Sequence, residues 1–325
     1  MDCLFSFGHL ATSTCLPLIL HEIQAKEKAS SVLSRANLGY TKSKLSIESV
    51  TLVIISALYS KSPHLAIVDE FVPNDQALRP FAVDDYLLRA LSKDELEADA
   101  VLHFWPGDPA VYLGMVDTRL PDFQAGVDFL KASSYRPVIR PSGGLAVVSD
   151  PGILNFSLLI KPAGGRLSID DAYEVLLRLI NQVLAPYQEQ VQAGEITRSY
   201  CPGSYDLSLQ GKKIAGLAQR RIGSAIGISA YVSLEGDQIR RGQLIRDFYQ
   251  ASQVQEAKRD DYPDVLPESM HNVSDVVPEL GQLDRFKAAI QDALSADTAS
   301  QSLLDLDQID LSKDLAKMSK RNQDI

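Results

Sequence analysis

The sequence Arg140-Pro-Ser-Gly-Gly-Leu-Ala-Val-Val-Ser149 runs directly into Asp150-Pro-Gly-Ile-Leu-Asn-Phe-Ser157, which places glycine-rich turns between short apolar runs. Paired glycines between two strands bring the backbone close to a ligand, because they lack Cβ and tolerate positive φ. Arg140, beside this loop, is suited to hold a carboxylate or a phosphate. The alternative interpretation is a plain hairpin turn that requires glycine, and an isolated Gly-Gly pair favours it.

The segments around this loop alternate between helical and strand patterns. Apolar residues with a period of four predict a helix that begins near Pro80, and a cap at Ser168 predicts another that ends near Pro186. Alternating apolar residues predict half-buried antiparallel strands over 207–209 and 226–234. Shorter patterns predict a helix over 126–132 and strands over 101–104, 110–113, 137–140, 145–149 and 155–160.

The two ends of the chain differ from this central part. Residues 1–78 are predicted to be an N-terminal extension, poorly ordered in part, and a true start further downstream is an alternative. Met1 to Leu20 lacks a basic n-region and is too short and polar to span a bilayer. Residues 79–250 are predicted to form the main domain. Residues 251–325 are predicted to be a C-terminal helical extension, with a helix around 286–294 and a frayed polar end over 312–325.

Composition excludes several classes of protein. The chain has 325 residues, of which 45% are hydrophobic, and this excludes a disordered or low-complexity protein. With 32 basic and 42 acidic residues its net charge is −10, which argues against nucleic-acid and membrane partners. The three cysteines and five histidines have no metal-ligand spacing, so we expect no metal and a reduced, cytoplasmic setting.

A second segment carries a candidate nucleophile. Cys201 lies in Tyr200-Cys-Pro-Gly-Ser-Tyr-Asp-Leu-Ser208, where the following Pro-Gly predicts an accessible loop. Lys212 and Lys213 follow across a predicted strand and turn, which brings an ammonium within plausible reach of the sulfur. A nearby cation favours the thiolate, which is the nucleophilic form of a cysteine. An inert cysteine beside a solvated Lys-Lys turn is the alternative.

Taken together, the two segments resemble the biotin/lipoate protein ligase catalytic-domain superfamily. The matching elements are an Arg-x-Ser-Gly-Gly loop at 140–144, an Asp at 150, an Asn-x-Ser strand at 155–157, a Tyr-Asp-Leu at 205–207 and a Gly-Lys-Lys-hydrophobic-small-Gly at 211–216. The resemblance covers roughly residues 81–237. It implies an α/β (α+β) fold in which helices flank a mixed, largely antiparallel sheet.

Within the superfamily, one branch fits better than the ATP-dependent ligases. Those ligases usually carry Gly-Gly-Gly-Ala-Val-x-His-Asp, whereas this chain has Gly143-Gly-Leu-Ala-Val-Val-Ser-Asp150, without the third glycine and the histidine. The cysteine segment looks like that of the octanoyl-[glycine cleavage H protein]:protein N-octanoyltransferases. The stretches Tyr262-Pro-Asp-Val265 and Pro267-Glu-Ser-Met270 are similar to the C-terminal part of the same family.

This resemblance implies a two-step transfer of an octanoyl group. Cys201 would attack the octanoyl-lysine amide of the H protein, and the resulting thioester would pass to a lipoyl-domain lysine of a 2-oxoacid dehydrogenase E2 subunit. Lys213 falls on the superfamily's catalytic lysine, although Lys212 stays open; its expected tasks are to stabilise the thiolate and to move protons. The residues expected to bind substrate are Arg140, Ser142, Gly143, Gly144, Leu145, Asn155 and Gly216. Among them the glycine loop would face the acyl carbonyl, and Leu145 would line an apolar slot.

The resemblance implies a reaction that needs neither ATP nor a metal. Three alternatives stay open: an octanoyl-acyl-carrier-protein-dependent transferase, an ATP-dependent lipoate ligase and a carrier-domain binding protein without enzyme activity. A basic patch would help an acidic protein to attract acidic carrier domains. The candidate residues are Lys212, Lys213, Arg220, Arg221, Arg240 and Arg241, for which ordinary surface charge is the equal alternative.

Overall fold

A computed structural model describes Ile55, Leu58, Tyr59 and residues 61–163, 167–257, 262–307, 309–323 and 325. All of these fall in a compact unit that spans residues 51–325. The expectation for Met1 to Leu20, and two of the three cysteines, Cys3 and Cys15, lie outside the described residues. The domain boundaries proposed after residues 78 and 250 stay predictions.

The described residues contain eleven strands in two sheets. The strands are β1 His64–Asp69, β2 Ala100–Phe104, β3 Ala110–Leu113, β4 Arg136–Ile139, β5 Val147–Ser149, β6 Ile153–Ile160, β7 Gln192–Ala193, β8 Leu207–Leu209, β9 Lys212–Ile222, β10 Ala225–Ser233 and β11 Ser300–Leu303. Eight form a large sheet in the order β11-β1-β2-β6-β10-β9-β8-β7. Only the β11-β1 and β1-β2 pairs in it are parallel, so the predicted mixed, largely antiparallel sheet is confirmed.

Six α-helices accompany the strands in the same residues. They are α1 Arg79–Ser92, α2 Phe123–Ala132, α3 Ile169–Leu184, α4 Gln238–Ala251, α5 Leu283–Ser295 and α6 Ser312–Ser319. The helix predicted to begin near Pro80 is α1, and Ser168 caps α3 by accepting the Asp171 N–H at 3.0 Å. Within this described part, no helix combines the length and the apolar character needed to cross a bilayer.

The large sheet has two different faces. On one face, Leu154, Phe156 and Leu158 of β6 join Ile226 and Ile228 of β10 in a core with the apolar stripe of α3 and with α5. On the other face, the strand register sets polar or small residues side by side. One row across β2, β6, β10 and β9 is His103, Ser157, Ser229 and Ala218; a second across β6, β10 and β9 is Asn155, Tyr231 and Gly216. Helix α1 packs near this second face, where Leu88 lies beside Gly227.

The second sheet supplies the glycine-rich loop. Its order is β4-β3-β5, so residues 140–146 connect its two outer strands while β3 lies between them. The hairpin interpretation of Gly143-Gly144 is therefore wrong, because β4 and β5 do not pair with each other. The loop leaves the sheet edge and reaches the polar face of the large sheet.

The frayed polar end predicted over residues 312–325 is also wrong for the part described. It contains α6, and Leu311 and Met318 are buried in the core that α1 shares. The carboxylate of Asp314 on α6 forms an ion pair with Arg89 on α1. Sequence patterning missed this helix because it is short and has few apolar residues to reveal a period.

Candidate active site

Cys201 is half-buried in the loop between β7 and β8, where it lines a cavity. Its φ is +46°, in the left-handed region that residues with a Cβ rarely adopt. Such a conformation costs on the order of 1–3 kcal/mol and persists only where neighbouring contacts hold it. The contacts that hold Cys201 are therefore part of the site.

Lys213 provides those contacts from beneath the loop. It is 1% exposed, and its Nζ donates to the carbonyls of Tyr200 at 2.9 Å and Cys201 at 2.7 Å. A third donor position of the ammonium meets Asp206 Oδ1 at 2.8 Å. Lys212, its neighbour, is exposed. The structure thus places Lys213, rather than Lys212, against the cysteine loop.

The surroundings of Lys213 are buried and mostly aromatic. Its Nζ lies 6.0 Å from the ring centre of Tyr200 and 5.8 Å from that of Tyr231. Burial raises the pKa of Asp206, and the ammonium of Lys213 opposes that rise. Burial also raises the pKa of Tyr200 to about 12, so this phenol stays neutral. A buried ion pair with complete hydrogen bonds depends on both partners, because loss of one leaves an uncompensated charge.

The sulfur of Cys201 faces the glycine-rich loop. Its Sγ accepts a hydrogen bond from the backbone N–H of Leu145 at 3.1 Å, and Arg140 Nη2 lies 3.8 Å away. The guanidinium of Arg140 donates to the carbonyls of Tyr112 at 2.6 Å, Gly143 at 2.9 Å and Leu145 at 2.7 Å, and its binding of a carboxylate or a phosphate stays a prediction. Arg140 therefore organises the loop and adds positive charge beside the sulfur.

Two glycines of the motifs are required by close approach. Gly144 has φ +93°, and a Cβ there would lie 2.9 Å from the sulfur of Cys201. A Cβ on Gly216 would lie 2.6 Å from Cε1 of Tyr231. Both distances are shorter than real carbon contacts, so a side chain at either position would displace the site. Gly143 has open space around its Cα instead.

The cavity beside Cys201 has a volume of about 370 Å³, within the range of small-molecule sites. Phe81, Trp105 and Tyr112 form one wall, with edge-to-face ring contacts at 5.2–5.7 Å. The remaining predicted residues that line it are Ser142, Gly143, Asn155 and Gly216. Leu145, predicted to line an apolar slot, is not among the lining side chains in the described part, where Val147 serves instead.

The cavity is elongated along β9. Its lining runs from Gly216, beside Tyr231 and hence near Lys213, to Arg220, which is four residues and so about 13 Å farther. Arg220 makes a bidentate ion pair with Asp85 of α1, at 2.5 and 2.7 Å. Ser229 and Asp84 also line the cavity. The sulfur and the ion pair thus mark opposite ends of this lining.

Beneath this lining lies a buried polar network. The two ring nitrogens of His103 lie at hydrogen-bond distance from two carboxylates, 2.8 Å from Asp84 and 3.2 Å from Glu70. Burial lowers the pKa of His103, but these hydrogen bonds and charges outweigh burial and raise it to about 9. Ser157 donates to Asp84 at 2.6 Å and lies 2.9 Å from Ser229. His103 is therefore an imidazolium at neutral pH.

The proposed basic patch is largely neutralised. Lys213 and Arg241 are buried and paired with Asp206 and Asp150, and Arg220 is paired with Asp85. The residues that remain exposed are Lys212, Arg221 and Arg240. Three of the six basic side chains predicted for the patch are thus paired in ion pairs that stabilise the fold and the cavity.

Sequence reasoning missed several residues of the site. Asp206 was recognised only as one residue of the Tyr-Asp-Leu motif, and its buried ion pair with Lys213 has no signal in the sequence. Phe81, Trp105 and Tyr112 fit ordinary core patterns, so nothing in their spacing distinguishes a cavity wall from a core. Tyr200 and Tyr231 come together only through pairing of distant segments.

A sequence model described as "Lipoyl protein ligase A/B catalytic domain" matches residues 76–295. The chain belongs to the lipoyl protein ligase A/B catalytic domain family. The match contains Cys201, Lys213 and the glycine-rich loop, whereas α6 and the residues that follow it lie beyond its end.

Similar proteins from other organisms are named either as N-octanoyltransferases or as N-lipoyltransferases. It is 42% identical over 200 residues to the octanoyl-[GcvH]:protein N-octanoyltransferase of Lysinibacillus sphaericus, covering 62% of this chain and 71% of that protein. It is 40% identical over 219 residues to the protein of the same name from Geobacillus kaustophilus, covering 67% and 77%. It is 41% identical over 205 residues to the lipoyl-[GcvH]:protein N-lipoyltransferase of Listeria monocytogenes, covering 63% and 73%.

Solved structures share the family's fold. Lipoate-protein ligase A bound with ATP superposes with a TM-score of 0.60 at 19% identity, covering 78% of this chain and 94% of that chain. The putative lipoate protein ligase Ta0514 from T. acidophilum, with bound lipoic acid, gives 0.56 at 19% identity, covering 79% and 95%. At these identities the likeness shows the fold alone, and it confirms the predicted fold class.

Proposed function

We propose that this protein is an acyltransferase that moves an octanoyl group from a lysine of the glycine cleavage H protein to a lipoyl-domain lysine of a 2-oxoacid dehydrogenase E2 subunit. The group travels as a thioester on Cys201. The observation that carries the proposal is the placement of the Cys201 sulfur at one end of an aromatic-lined cavity, with the Leu145 N–H at 3.1 Å. The names of the relatives support the donor.

In the first step, the thiolate of Cys201 attacks the carbonyl carbon of the octanoyl-lysine amide. The C–S bond forms and the C–N bond breaks, and the leaving lysine nitrogen takes up a proton. The Leu145 N–H and the positive charge of Arg140 stabilise the sulfur anion before attack. Thioester formation divides one hard exchange between two amides into two easier steps.

In the second step, the neutral amine of the acceptor lysine attacks the thioester. The C–N bond forms, the C–S bond breaks, and the thiolate returns as the new amide nitrogen loses a proton. One proton is taken up and one is released, so the cycle is balanced without ATP or a metal. These two proton transfers are general acid and base steps at the lysine nitrogens.

Lys213 acts on this chemistry through the backbone of Cys201. Its three ammonium donors are already occupied by the carbonyls of Tyr200 and Cys201 and by Asp206. The ammonium therefore holds the strained cysteine loop and contributes a buried positive charge near the sulfur. The stabilisation of the thiolate that the resemblance implies for Lys213 is therefore indirect in this proposal.

The cavity serves the acyl chain. The octanoyl tail lies along β9, from Gly216 toward the Asp85–Arg220 ion pair, against the rings of Phe81, Trp105 and Tyr112. Burial of methylene groups against such rings contributes about 0.8 kcal/mol for each CH₂. We place the reaction in the cytoplasm, where thiols remain reduced and Cys201 stays available.

A transfer assay tests the proposal. Purified protein is mixed with octanoylated H protein and an apo lipoyl domain, and octanoylation of the lipoyl domain is followed by mass spectrometry. We expect transfer without ATP, a loss of at least about 1,000-fold in Cys201→Ala, and a large loss in Lys213→Ala but not in its exposed neighbour Lys212→Ala. Thermal unfolding confirms that each variant is folded.

The same assay separates the alternatives by donor. Faster transfer from octanoyl-acyl-carrier protein than from octanoylated H protein would identify a different donor class. Activity with free octanoate that requires ATP and persists in Cys201→Ala would identify a ligase. Binding of carrier domains without any transfer would leave only a binding protein, and each of these results contradicts the proposal.

A further inference from the structure

The last residues of the chain contact the strand that leads into the catalytic loop. After α6, the turn Lys320–Asn322 carries the side chain of Asn322 to the backbone of Ile139. The N–H of Ile139 donates to Asn322 Oδ1 at 2.7 Å, and Asn322 Nδ2 donates to the carbonyl of Ile139 at 3.1 Å. One side-chain amide thus satisfies both backbone groups of a residue that lies 183 positions earlier.

This contact is placed at the open side of an edge strand. β4 is the outer strand of the order β4-β3-β5, and Ile139 is its last residue. Alternate residues of an edge strand direct their N–H and C=O groups away from the sheet. The amide of Asn322 takes the position that a neighbouring strand would otherwise fill. Asn322 Nδ2 also donates to the carbonyl of Met318 at 3.1 Å, which fastens the amide to the end of α6.

The residue after Ile139 is Arg140, the centre of the glycine-rich loop. Its backbone N–H donates to the carbonyl of Leu113 at 3.0 Å, and its guanidinium holds the carbonyls of Gly143 and Leu145. Leu145 in turn donates its N–H to the sulfur of Cys201. A continuous series of contacts therefore connects Asn322, Ile139, Arg140, Leu145 and Cys201.

The C-terminal turn has its own anchor to the rest of the fold. Met318 is 3% exposed in the core, and Asp314 pairs with Arg89 of α1. The amide of Asn322 is consequently held in place independently of β4. The family match ends at residue 295, so this anchor is supplied by a part of the chain that the match does not include.

We infer that Asn322 is a positioning residue that holds the base of the glycine-rich loop, so that the Leu145 N–H stays directed at the sulfur of Cys201. The inference rests on the proposed function for its turnover readout alone. The reactivity of Cys201 toward a small alkylating agent requires no acyl substrate, so failure of the proposed reaction and failure of this inference are distinguishable.

The test compares Asn322→Ala with Arg321→Ala, which changes the exposed neighbour in the same turn. We expect Asn322→Ala to lower kcat by about 5- to 30-fold, the range that two hydrogen bonds allow, with little change in KM. The rate of alkylation of Cys201 by iodoacetamide at a fixed pH should fall by about threefold, because a displaced Leu145 N–H no longer donates to the sulfur. Arg321→Ala should match the unchanged protein in both measurements.

Asn322→Asp gives a graded comparison. It keeps an acceptor for the Ile139 N–H but sets an oxygen against the Ile139 carbonyl, so we expect kcat at or below that of Asn322→Ala. An unchanged kcat and an unchanged alkylation rate in Asn322→Ala, with only a lower Tm, would overturn the inference. Equal losses in Arg321→Ala and Asn322→Ala would also overturn it.

Discussion

The two faces of the large sheet are built from the same strands but have different roles. One face carries Phe156, Ile226 and Ile228 against α3 and α5 in a large apolar core. The other carries Ser157, Ser229 and His103 in one row, and Asn155, Tyr231 and Gly216 in the next. Since alternate residues of a strand point to opposite faces, each strand encodes a core and a site at once. The apolar face supplies stability, and the polar face supplies the cavity that Cys201 opens into.

The sharpest way to separate the faces is to remove Phe156. It is fully buried on the apolar face, with its ring centre 6.1 Å from that of Phe104. We expect Phe156→Ala to lower the free energy of unfolding by about 3–5 kcal/mol, because it leaves a cavity. Acyl transfer per folded molecule should remain near that of the unchanged protein, measured below the variant's Tm. A loss of transfer at full stability would contradict the division between faces.

The polar face makes the stability of the fold depend on pH. The pKa of His103 is raised to about 9 from an ordinary value near 6.5, so the folded state binds this proton more tightly than the unfolded state. The proton on His103 contributes about 3 kcal/mol to the free energy of unfolding. This contribution is complete below pH 6.5 and is lost as the pH rises through 9. Denaturant unfolding between pH 6 and 9.5 should show this fall, and His103→Gln should flatten it. A steep fall that persists in His103→Gln would assign it to other groups.

The smallest expected change concerns chain length. Ala218 lines the cavity on β9 opposite Ser229, between the Cys201 end and the Asp85–Arg220 end. We expect Ala218→Leu to slow octanoyl transfer about 10-fold while a hexanoyl donor is retained, because the added carbons shorten the chamber. The control is Ala193→Leu on β7, where the side chain is exposed. Equal losses for both donors in Ala218→Leu would argue that the tail lies elsewhere.

The strength of a local pattern decides how much of the fold could be predicted. The α3 stripe and the alternation in β10 are long and regular, and both elements lie where the pattern placed them. The helix α6 was missed because Met318 is its one buried apolar residue, and a single residue cannot show a period. The hairpin interpretation of the glycine loop failed because β3 enters between β4 and β5, which only long-range pairing determines.

The site shows the same limit. Cys201, Lys213 and Arg140 were identified from their order, and the structure brings all three to one loop. Their contacts were not predictable, since Lys213 meets the carbonyl of Cys201 while the sulfur meets the Leu145 N–H. Asp206 completes the arrangement through a buried ion pair that no linear spacing reveals.

The central claim is that Cys201 carries the acyl group. Mixing the protein with octanoylated H protein in the absence of an acceptor, followed by intact-mass spectrometry and peptide mapping, tests it directly. We predict a gain of one octanoyl mass on Cys201, lost when apo lipoyl domain is added and absent from Cys201→Ala. Transfer to the lipoyl domain without any acylated Cys201, or with an adduct of equal lifetime in Cys201→Ala, would contradict the account.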